Sequence, residues 1–450
     1  MDRNNKKKEV FKEPLFTFKG PNEPVLLYEG IGSLKIQENS FEEKLEVWLK
    51  YYPRPRIEIT MKFPTNSNTP DISIDSKNIS VVFKEKSSEI SVSINSIQSN
   101  SEDLVLKFVP EKDIVTVLGD YSTQINAVIF HLSNFTKFLG PKRNKEPFMR
   151  NNNLIIHFID HMGLKWKDWI IEIKSLTSTN DTFKILNQDG GYGFTHFGII
   201  TKNKNKSFSV KDGNFILQSL RYILSFAKGV WCPPLLCLGF DKEGRVVWEC
   251  WNTPKDFWNT TLSWFDPHHS KQLLNLFPGF MDRWTDKSWR MTFSDAIYWY
   301  LKSCLPFRGT DAGLILTQTA IERLSFEYAV NDKKLISKEG FKQLRASDKF
   351  RLLFSSLEIP LNIPQNLKTI LKLAKQFNWE DSPHALTEIR NSLVHPEHKH
   401  QGKYDRAIFD AWNLSLWYLE LSILKLCGYH GTYSNRLKTP KWAGEVEDVP

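Results

Sequence analysis

The stretch "RNSLVHP", residues 390 to 396, places an arginine, an asparagine and a histidine close together. A neutral imidazole can take the proton of a ribose 2'-hydroxyl, which makes that oxygen a nucleophile toward the adjacent phosphate. An arginine fork can stabilise the added negative charge, and an amide can hold the imidazole tautomer or bond a phosphate oxygen. Arg390, Asn391 and His395 are therefore candidate catalytic residues for metal-independent cleavage of RNA.

These three residues lie at the end of a predicted short helix, "SPHALTEIRNSLV", residues 382 to 394. Ser382 is a suitable cap, and Pro383 is tolerated in the first turn because its missing N–H has no helical partner. Pro396 should end the helix, because the residue before a proline is displaced from the α region. The signals thus predict a well delimited element.

Helical spacing gives this helix an apolar side and a polar side. The stripe that should face the core consists of Leu386, Ile389 and Leu393. Asn391 and His395 are four residues apart on the opposite side, so their side chains can touch. Arg390 should project from the edge of the stripe, at an angle that separates it from His395 on an ideal helix. Because Arg390 is long and His395 lies at the unwinding end of the helix, the two side chains can still converge on one phosphate.

A second arginine and histidine, Arg150 and His157 in "RNNNLIIH", have a similar spacing and also include Asn151. His157 lies in a strand-like run, where packing or pairing across a sheet is the expected role. Spacing alone is therefore weak evidence, and the helical context favours the motif at residues 390 to 396 as the catalytic one.

Other polar residues are less specific. Glu322, in "TAIERLSF", is a possible supporting carboxylate, although a structural salt bridge explains it equally well. His398 and His400 follow His395 closely, but no carboxylate cluster completes a metal site, which favours a solvated loop. Cys232 and Cys237 are close enough to suggest zinc ligands, but no second close pair of Cys or His residues follows them. We therefore predict neither a metal nor a cofactor.

The chain has 450 residues, of which 41% are apolar and 25% charged, and a net charge of +9. The length predicts two or three domains, the composition is that of a soluble globular protein, and the positive charge suits a polyanion partner. No apolar run is long enough for a membrane span or a signal peptide, which predicts a cytoplasmic protein without a membrane partner. The five scattered cysteines indicate reduced, mostly buried thiols.

Short alternating segments such as "RIEITMKF" and "ISVVFK" predict a β-rich domain over residues 16–140, after a flexible tail at 1–15. Many short strands favour a sandwich or a strongly bent sheet. Residues 141–290 mix strands with the helix "GNFILQSLRYILSFAKG" and could continue the preceding domain. Tryptophans are frequent in this region and the next. Burial in a core between two domains explains them better than stacking on nucleobases does.

After about residue 291, helical patterns predominate up to 430, and residues 431–450 have the character of a loosely held tail. Asp311 is the predicted cap of one helix, and Gly428 the predicted end of the last. The predicted fold class is thus α+β and multidomain, with a β-rich N-terminal region, a mixed middle section and an all-α bundle at the C-terminal end.

The C-terminal third resembles the HEPN family, helical domains whose ribonuclease members carry an arginine, four to six residues, and then a histidine. The matching positions are Arg390, Asn391 and His395, and many such bundles also carry an acidic residue near the position of Glu322. Glu397 stands where one toxin subgroup carries a tyrosine that is adenylylated, so that form of control is not expected here. The overall layout is similar to that of ApeA-type antiphage proteins.

This resemblance implies a homodimer in which two motif helices face each other and form one composite site for cleavage of cellular RNA. It also implies an abortive-infection or toxin-like effector, in which the N-terminal region acts as a sensor or regulator that responds to an unknown trigger. The alternative is a non-catalytic HEPN-like module that binds a nucleotide or a protein and dimerises. Substitution of His395 distinguishes the two functions, because a phosphate-binding role tolerates Gln or Lys at this position, whereas the role of general base requires the histidine.

Overall fold

The computed structural model describes residues 15–65, 69–86, 88–150, 153–176, 179–305, 307, 309–394 and 402–450. For residues 142–150 and 153–159 it describes the backbone alone. The predicted flexible tail at 1–15 lies outside the described residues except for its last one.

Six antiparallel strands at the N-terminal end close into a barrel in the order β1-β2-β3-β6-β5-β4. They are β1 (Val25–Ile36), β2 (Asn39–Lys50), β3 (Arg56–Pro64), β4 (Ile79–Phe83), β5 (Ser88–Ser99) and β6 (Asp103–Pro110). Alternate residues of each strand face the interior, as the period of two in the sequence predicts. The closed barrel replaces the sandwich or bent sheet expected from the sequence.

The barrel closes where β1 pairs with β4. A Cβ atom on Gly32 of β1 would lie 2.7 Å from the carbonyl oxygen of Val82 in β4 and closer still to the side chain of Leu45. The missing side chain at Gly32 therefore allows the two strands to approach at the point of closure.

An eight-stranded antiparallel sheet follows, in the order β10-β11-β12-β13-β9-β15-β16-β7. Its strands are β7 (Ile114–Leu118), β9 (Ala127–Ser133), β10 (Lys142–Arg150), β11 (Asn153–Trp166), β12 (Trp169–Ser175), β13 (Phe194–Lys202), β15 (Pro234–Phe240) and β16 (Val246–Asn252). Two short strands, β8 (Gln124–Ile125) and β14 (Phe208–Ser209), form a separate pair. The domain boundary predicted at residue 140 lies between β9 and β10, which belong to this one sheet.

This sheet separates two hydrophobic cores. Along β9, Ala127 and Ile129 belong to the core shared with the barrel, whereas Val128 and Phe130 belong to the core shared with the helices. A strand covered on both faces is a continuous apolar run, which explains why the sequence of β9 does not alternate.

The helices are numbered in chain order. They are α1 (Thr179–Asp189), α2 (Val210–Lys228), α3 (Lys271–Thr285), α4 (Lys287–Ser303), α5 (Thr310–Phe326), α6 (Lys338–Gln343), α7 (Ala346–Ser356), α8 (Lys368–Phe377), α9 (Ser382–Val394) and α10 (Ile408–Leu426). Short helical turns occur at Asn203–Asn205 and Asp405–Ala407, and a π-helical segment, Glu327–Asp332, extends α5. Helix α10 is largely buried at the centre of the helical region.

Most predicted helices are confirmed, with differences at their ends. The cap predicted at Asp311 is wrong, because Gly309 occupies the N-cap of α5 and Asp311 lies in its first turn. Gly428 has a φ of 65°, as expected of a residue that ends α10. The helical region starts at α3, before the boundary predicted at residue 291.

The helices and the sheet share one hydrophobic core. Trp166 of β11 donates from Nε1 to Oδ1 of Asp282 in α3, at 2.8 Å. The tryptophans of this region that are almost fully buried are Trp248, Trp251, Trp264, Trp284 and Trp289. Their role as core residues is therefore confirmed.

Residues 431–450 are anchored, which contradicts the loosely held tail expected from the sequence. Strands β17 (Thr432–Tyr433) and β18 (Glu447–Asp448) pair with each other, and Tyr433 is fully buried. Arg436 is buried too, and it donates to both carboxylate oxygens of Glu420 in α10, at 2.7 and 3.0 Å. This ion pair holds the segment to the central helix.

Over the described residues, no helix combines the length and apolar character needed to cross a membrane. Within the same residues, no cluster of three or more His, Cys, Asp or Glu side chains could hold a metal ion. All five cysteines are free and buried, as the sequence predicted.

Candidate functional site

The motif helix α9 is described from Ser382 to Val394, and it begins at the residue that the sequence predicted. Its capping residue differs from the prediction, because Oδ1 of Asp381 accepts the hydrogen bond of the His384 N–H at 2.9 Å. Ser382 is fully buried in the first turn instead. Pro396, the predicted terminator, lies outside the described residues, and the last described residue of the helix is Val394.

Arg351 of α7 fixes this cap. Its guanidinium donates to both oxygens of Asp381 at 2.6 and 3.0 Å, to Asp348 at 2.5 Å and to Glu380 at 3.0 Å. Hydrogen bonding to Asp381, together with its negative charge, raises the pKa of Arg351 even though partial burial acts against it. The bidentate contact therefore orients the start of α9 relative to α7.

The apolar side of α9 packs as predicted. Leu386 and Ile389 are fully buried, and Leu393 packs against the same core. In addition, the side-chain amide of Gln318 in α5 donates to the carbonyl oxygen of Leu386 at 2.7 Å. Because Gln318 is itself buried, this bond satisfies an amide that would otherwise be costly to bury.

Arg390 and Asn391 are brought together at the far end of the helix. Nη1 of Arg390 donates to Oδ1 of Asn391 at 3.3 Å, and both residues are half-buried. Among the described residues the Asn391 amide nitrogen has no hydrogen-bond partner, and such a group can donate to a phosphate oxygen or an imidazole. His395, the third candidate catalytic residue, lies outside the described residues, as do Glu397, His398 and His400.

Glu322 of α5 forms an ion pair with Lys349 of α7, at 2.6 Å between Oε1 and Nζ. Its side chain is 45% exposed, whereas that of Lys349 is 14% exposed. This contact favours the structural interpretation of Glu322 over a catalytic one, because the carboxylate is engaged between two helices that pack beside α9.

The other arginine and histidine pair has a different context. Arg150 is the last residue of β10, opposite Asn153, and His157 lies in β11, opposite Glu146. The two residues thus occupy neighbouring strands of a sheet, which confirms the strand predicted around His157. By contrast, Arg390 and Asn391 lie on the helix α9, which a further long helix, α10, follows.

Sequence reasoning missed three residues that position the motif. Asp381 could have been found, because aspartate is as good a cap as serine and precedes Ser382 directly. Arg351 and Gln318 carry no local signal, since their partners lie on another helix. Such contacts depend on how the helices pack.

Comparison with known proteins gives two matching family models, which cover the sheet and the helical region in turn. The YopA central domain matches residues 120–261, and the YopA C-terminal domain matches residues 286–448. The chain is also 28% identical over 443 residues to the SPbeta prophage-derived uncharacterized protein YopA of Bacillus subtilis (strain 168), and the match spans 95% of each chain. No solved structure matches the chain. The YopA C-terminal domain model includes α9 and its motif.

Proposed function

We propose that this protein is a metal-independent endoribonuclease of the HEPN type, with Arg390, Asn391 and His395 as its catalytic residues. The observation that carries the proposal is the contact of Arg390 with Asn391 at the end of α9, 3.3 Å between Nη1 and Oδ1. Two polar side chains that can bind one phosphate thus stand together on a helix held by its neighbours.

The proposed reaction needs a base, a charge stabiliser and a positioned phosphate. His395 takes the proton of the ribose 2'-hydroxyl, whose oxygen attacks the adjacent phosphorus. Arg390 stabilises the charge that develops on the phosphate oxygens, and Asn391 orients the phosphate or the imidazole. The bond to the 5'-oxygen breaks, that oxygen takes up a proton, and a 2',3'-cyclic phosphate remains.

The surroundings of α9 support a positioned site. Its first turn is fixed by Arg351 through Asp381, and its middle by Gln318 through Leu386. Catalytic groups perform best when a rigid element and its hydrogen-bonded neighbours hold them. The polar end of α9 is thus carried by a helix that is anchored at two points.

The second part of the proposal is that two copies pair through α9 and act as an abortive-infection or toxin-like effector. Val394, near the motif, is 39% exposed, which leaves an apolar contact point beside Arg390 and Asn391. The prophage origin stated in the name of the B. subtilis relative is in keeping with a role in conflict between phages. Light scattering of the purified chain should give a dimer, and a monomer at every accessible concentration would contradict this part.

The N-terminal barrel is proposed to regulate the nuclease through the shared sheet. Lys86 of the barrel pairs with buried Glu249 of β16, and Glu249 also accepts from Trp251 Nε1 at 2.7 Å. Lys86→Gln should loosen this contact and raise basal RNA cleavage. Lys84→Gln, an exposed neighbour paired with Glu42, is the matched control. Equal cleavage by wild type and both variants would remove the inhibitory role.

The direct test incubates the purified full-length chain with total RNA and tRNA in excess EDTA and maps the product ends. Wild type and His430→Ala, which alters an exposed histidine after α10, should leave 2',3'-cyclic phosphate ends, whereas His395→Ala should not. Equal cleavage by wild type and His395→Ala would refute the assigned base. Absence of cleavage at concentrations where the dimer is measured would favour a non-catalytic binding module.

A further inference from the structure

A cavity of about 480 Å³ opens on the helical region away from α9. Its lining comes from the loop at residues 259–262, from Cys304 at the end of α4, from the first turns of α10 and from residues 436–441. None of its lining residues belongs to α9, so the cavity is distinct from the proposed catalytic motif. Its volume lies in the range of pockets that hold one small organic ligand.

The lining is positively charged. It includes Arg436, Lys438 and Lys441, and none of the described residues in the lining is an aspartate or a glutamate. Arg436 is paired with the fully buried Glu420, and Lys438 pairs with Glu445 at 2.5 Å while 46% of its side chain stays exposed. Neither Glu420 nor Glu445 is among the residues that line the cavity.

Lys441 is the least compensated of the three. Its Nζ donates to the carbonyl oxygen of Asn435 at 3.1 Å, and within the described residues it forms no ion pair with a carboxylate. Burial lowers the pKa of Lys441, which means that the surroundings disfavour its charged form. An anion in the cavity would offset that penalty and should therefore be attracted there.

Aromatic and amide groups complete the cavity. Phe409, in the first turn of α10, is 55% exposed at the mouth, and its ring centroid lies 5.4 Å from that of Trp412. An exposed phenyl ring provides a surface on which a nucleobase can stack. Asn413 and Asn259 line the same cavity and offer both donors and acceptors to a base edge or a ribose.

From this combination we propose that the cavity binds a nucleoside 5'-phosphate, with its base against Phe409 and its phosphate between Lys438 and Lys441. An exposed aromatic ring and two lysines in the lining, of which Lys441 forms no ion pair with a carboxylate among the described residues, match the two ends of such a molecule. The ligand can be a free nucleotide or the phosphorylated 5' end of an RNA, because both present the same chemistry. This proposal does not depend on cleavage by the α9 motif.

Isothermal titration of the full-length chain with AMP, GMP, CMP and UMP tests the proposal. At least one of the four should bind, adenosine should bind more weakly than AMP, and inorganic phosphate should compete with it. Lys438→Gln should weaken nucleotide binding roughly tenfold, which corresponds to the loss of one charged contact. Phe409→Ala should weaken both nucleotide and nucleoside binding.

Two exposed controls distinguish the site from general surface binding. Lys242→Gln and Tyr121→Ala lie on loops outside the cavity and should leave the affinity unchanged. A short RNA with a 5'-phosphate, compared with the same RNA bearing a 5'-hydroxyl, separates the two ligand sources. Absence of binding by all four nucleotides at several millimolar would overturn the proposal. Affinities of Lys438→Gln and Phe409→Ala equal to wild type, with folding verified by circular dichroism, would also overturn it.

Discussion

The side-chain amide of Gln318 donates to the main-chain carbonyl of Leu386 across 2.7 Å, so that α5 holds the middle of the motif helix. Gln318→Met keeps the length of the side chain and removes the donor. We expect a loss of about 1 kcal/mol in the free energy of unfolding, because one buried hydrogen bond is lost. Urea unfolding followed by circular dichroism measures this change.

The same substitution tests whether Gln318 positions the nuclease site. If α9 must be held in register for Arg390 to act, the kcat for RNA should fall in Gln318→Met while the product ends and the pH profile stay those of wild type. Thr319→Ala, an exposed neighbour on the same helix, is the control and should change neither quantity. Unaltered kcat in a measurably destabilised Gln318→Met would show that the bond is structural only.

Arg390→Lys tests whether the site needs the planar guanidinium of Arg390 or only its positive charge. Lysine cannot bind one phosphate through two parallel bonds, nor can it reproduce the guanidinium contact with Asn391. We expect RNA cleavage to fall by about 100-fold, as for the loss of a group that stabilises transition-state charge. Single-turnover kinetics on tRNA measure it, and wild-type rates for Arg390→Lys would rule out a fork-dependent role.

Glu322→Gln tests the structural assignment of this carboxylate. The ion pair with Lys349 is half-exposed on the side of Glu322, so its loss should cost less than about 1 kcal/mol of stability. Cleavage of RNA should remain close to the wild-type rate. A large fall in kcat without destabilisation would instead make Glu322 part of the catalytic machinery.

Local signals were sufficient to predict the motif helix but not its attachments. Pro383 and the spacing of Leu386 and Ile389 lie within α9 itself, so its start and its buried side follow from nearby residues. The contacts of Gln318 and Arg351 join α9 to α5 and α7, and their geometry arises from helix packing. Sequence therefore predicted that Arg390 and Asn391 lie near the end of α9, and packing determines what holds that helix.

In the barrel, too, local sequence patterns predicted the single elements but not how they pack. Alternation predicted the individual strands, because each strand has a period of two along its own residues. Closure depends on the pairing of β1 with β4, which brings Gly32 opposite Phe83 although two strands, β2 and β3, lie between them along the chain. The burial of Arg436 could not be predicted either. A charged residue in a polar terminal segment gives no sign that it pairs with a buried glutamate, Glu420, on α10.

Arg436→Met should destabilise the protein severely. Glu420 is fully buried and would lose the guanidinium that pairs with both of its oxygens, retaining the hydroxyl of Tyr300 at 2.6 Å. Leaving a buried charge unpaired costs about 3–5 kcal/mol. Combining Arg436→Met with Glu420→Leu should recover much of the loss, because no charge then remains. A double variant less stable than Arg436→Met in thermal unfolding would contradict this account.

Two buried histidines should make the protein sensitive to acid. Burial lowers the pKa of His131 to about 4 and that of His196 to about 3, and Nε2 of each lacks a hydrogen-bond partner among the described residues. As the pH falls below 6.5, the unfolded chain binds these protons and the folded chain does not. Each such histidine therefore reduces the free energy of unfolding by about 1.4 kcal/mol per pH unit until its folded pKa is reached.

His196→Phe isolates one of these two contributions. The imidazole of His196 stacks on the ring of Phe138 with centroids 5.0 Å apart, so a phenyl ring preserves the aromatic packing and cannot be protonated. Urea unfolding at a series of pH values from 7 to 4 should show a shallower decline in stability for His196→Phe than for wild type. His430→Ala changes an exposed histidine and should leave the slope unchanged. Parallel curves for wild type and His196→Phe would mean that His196 is protonated in the folded protein over this range.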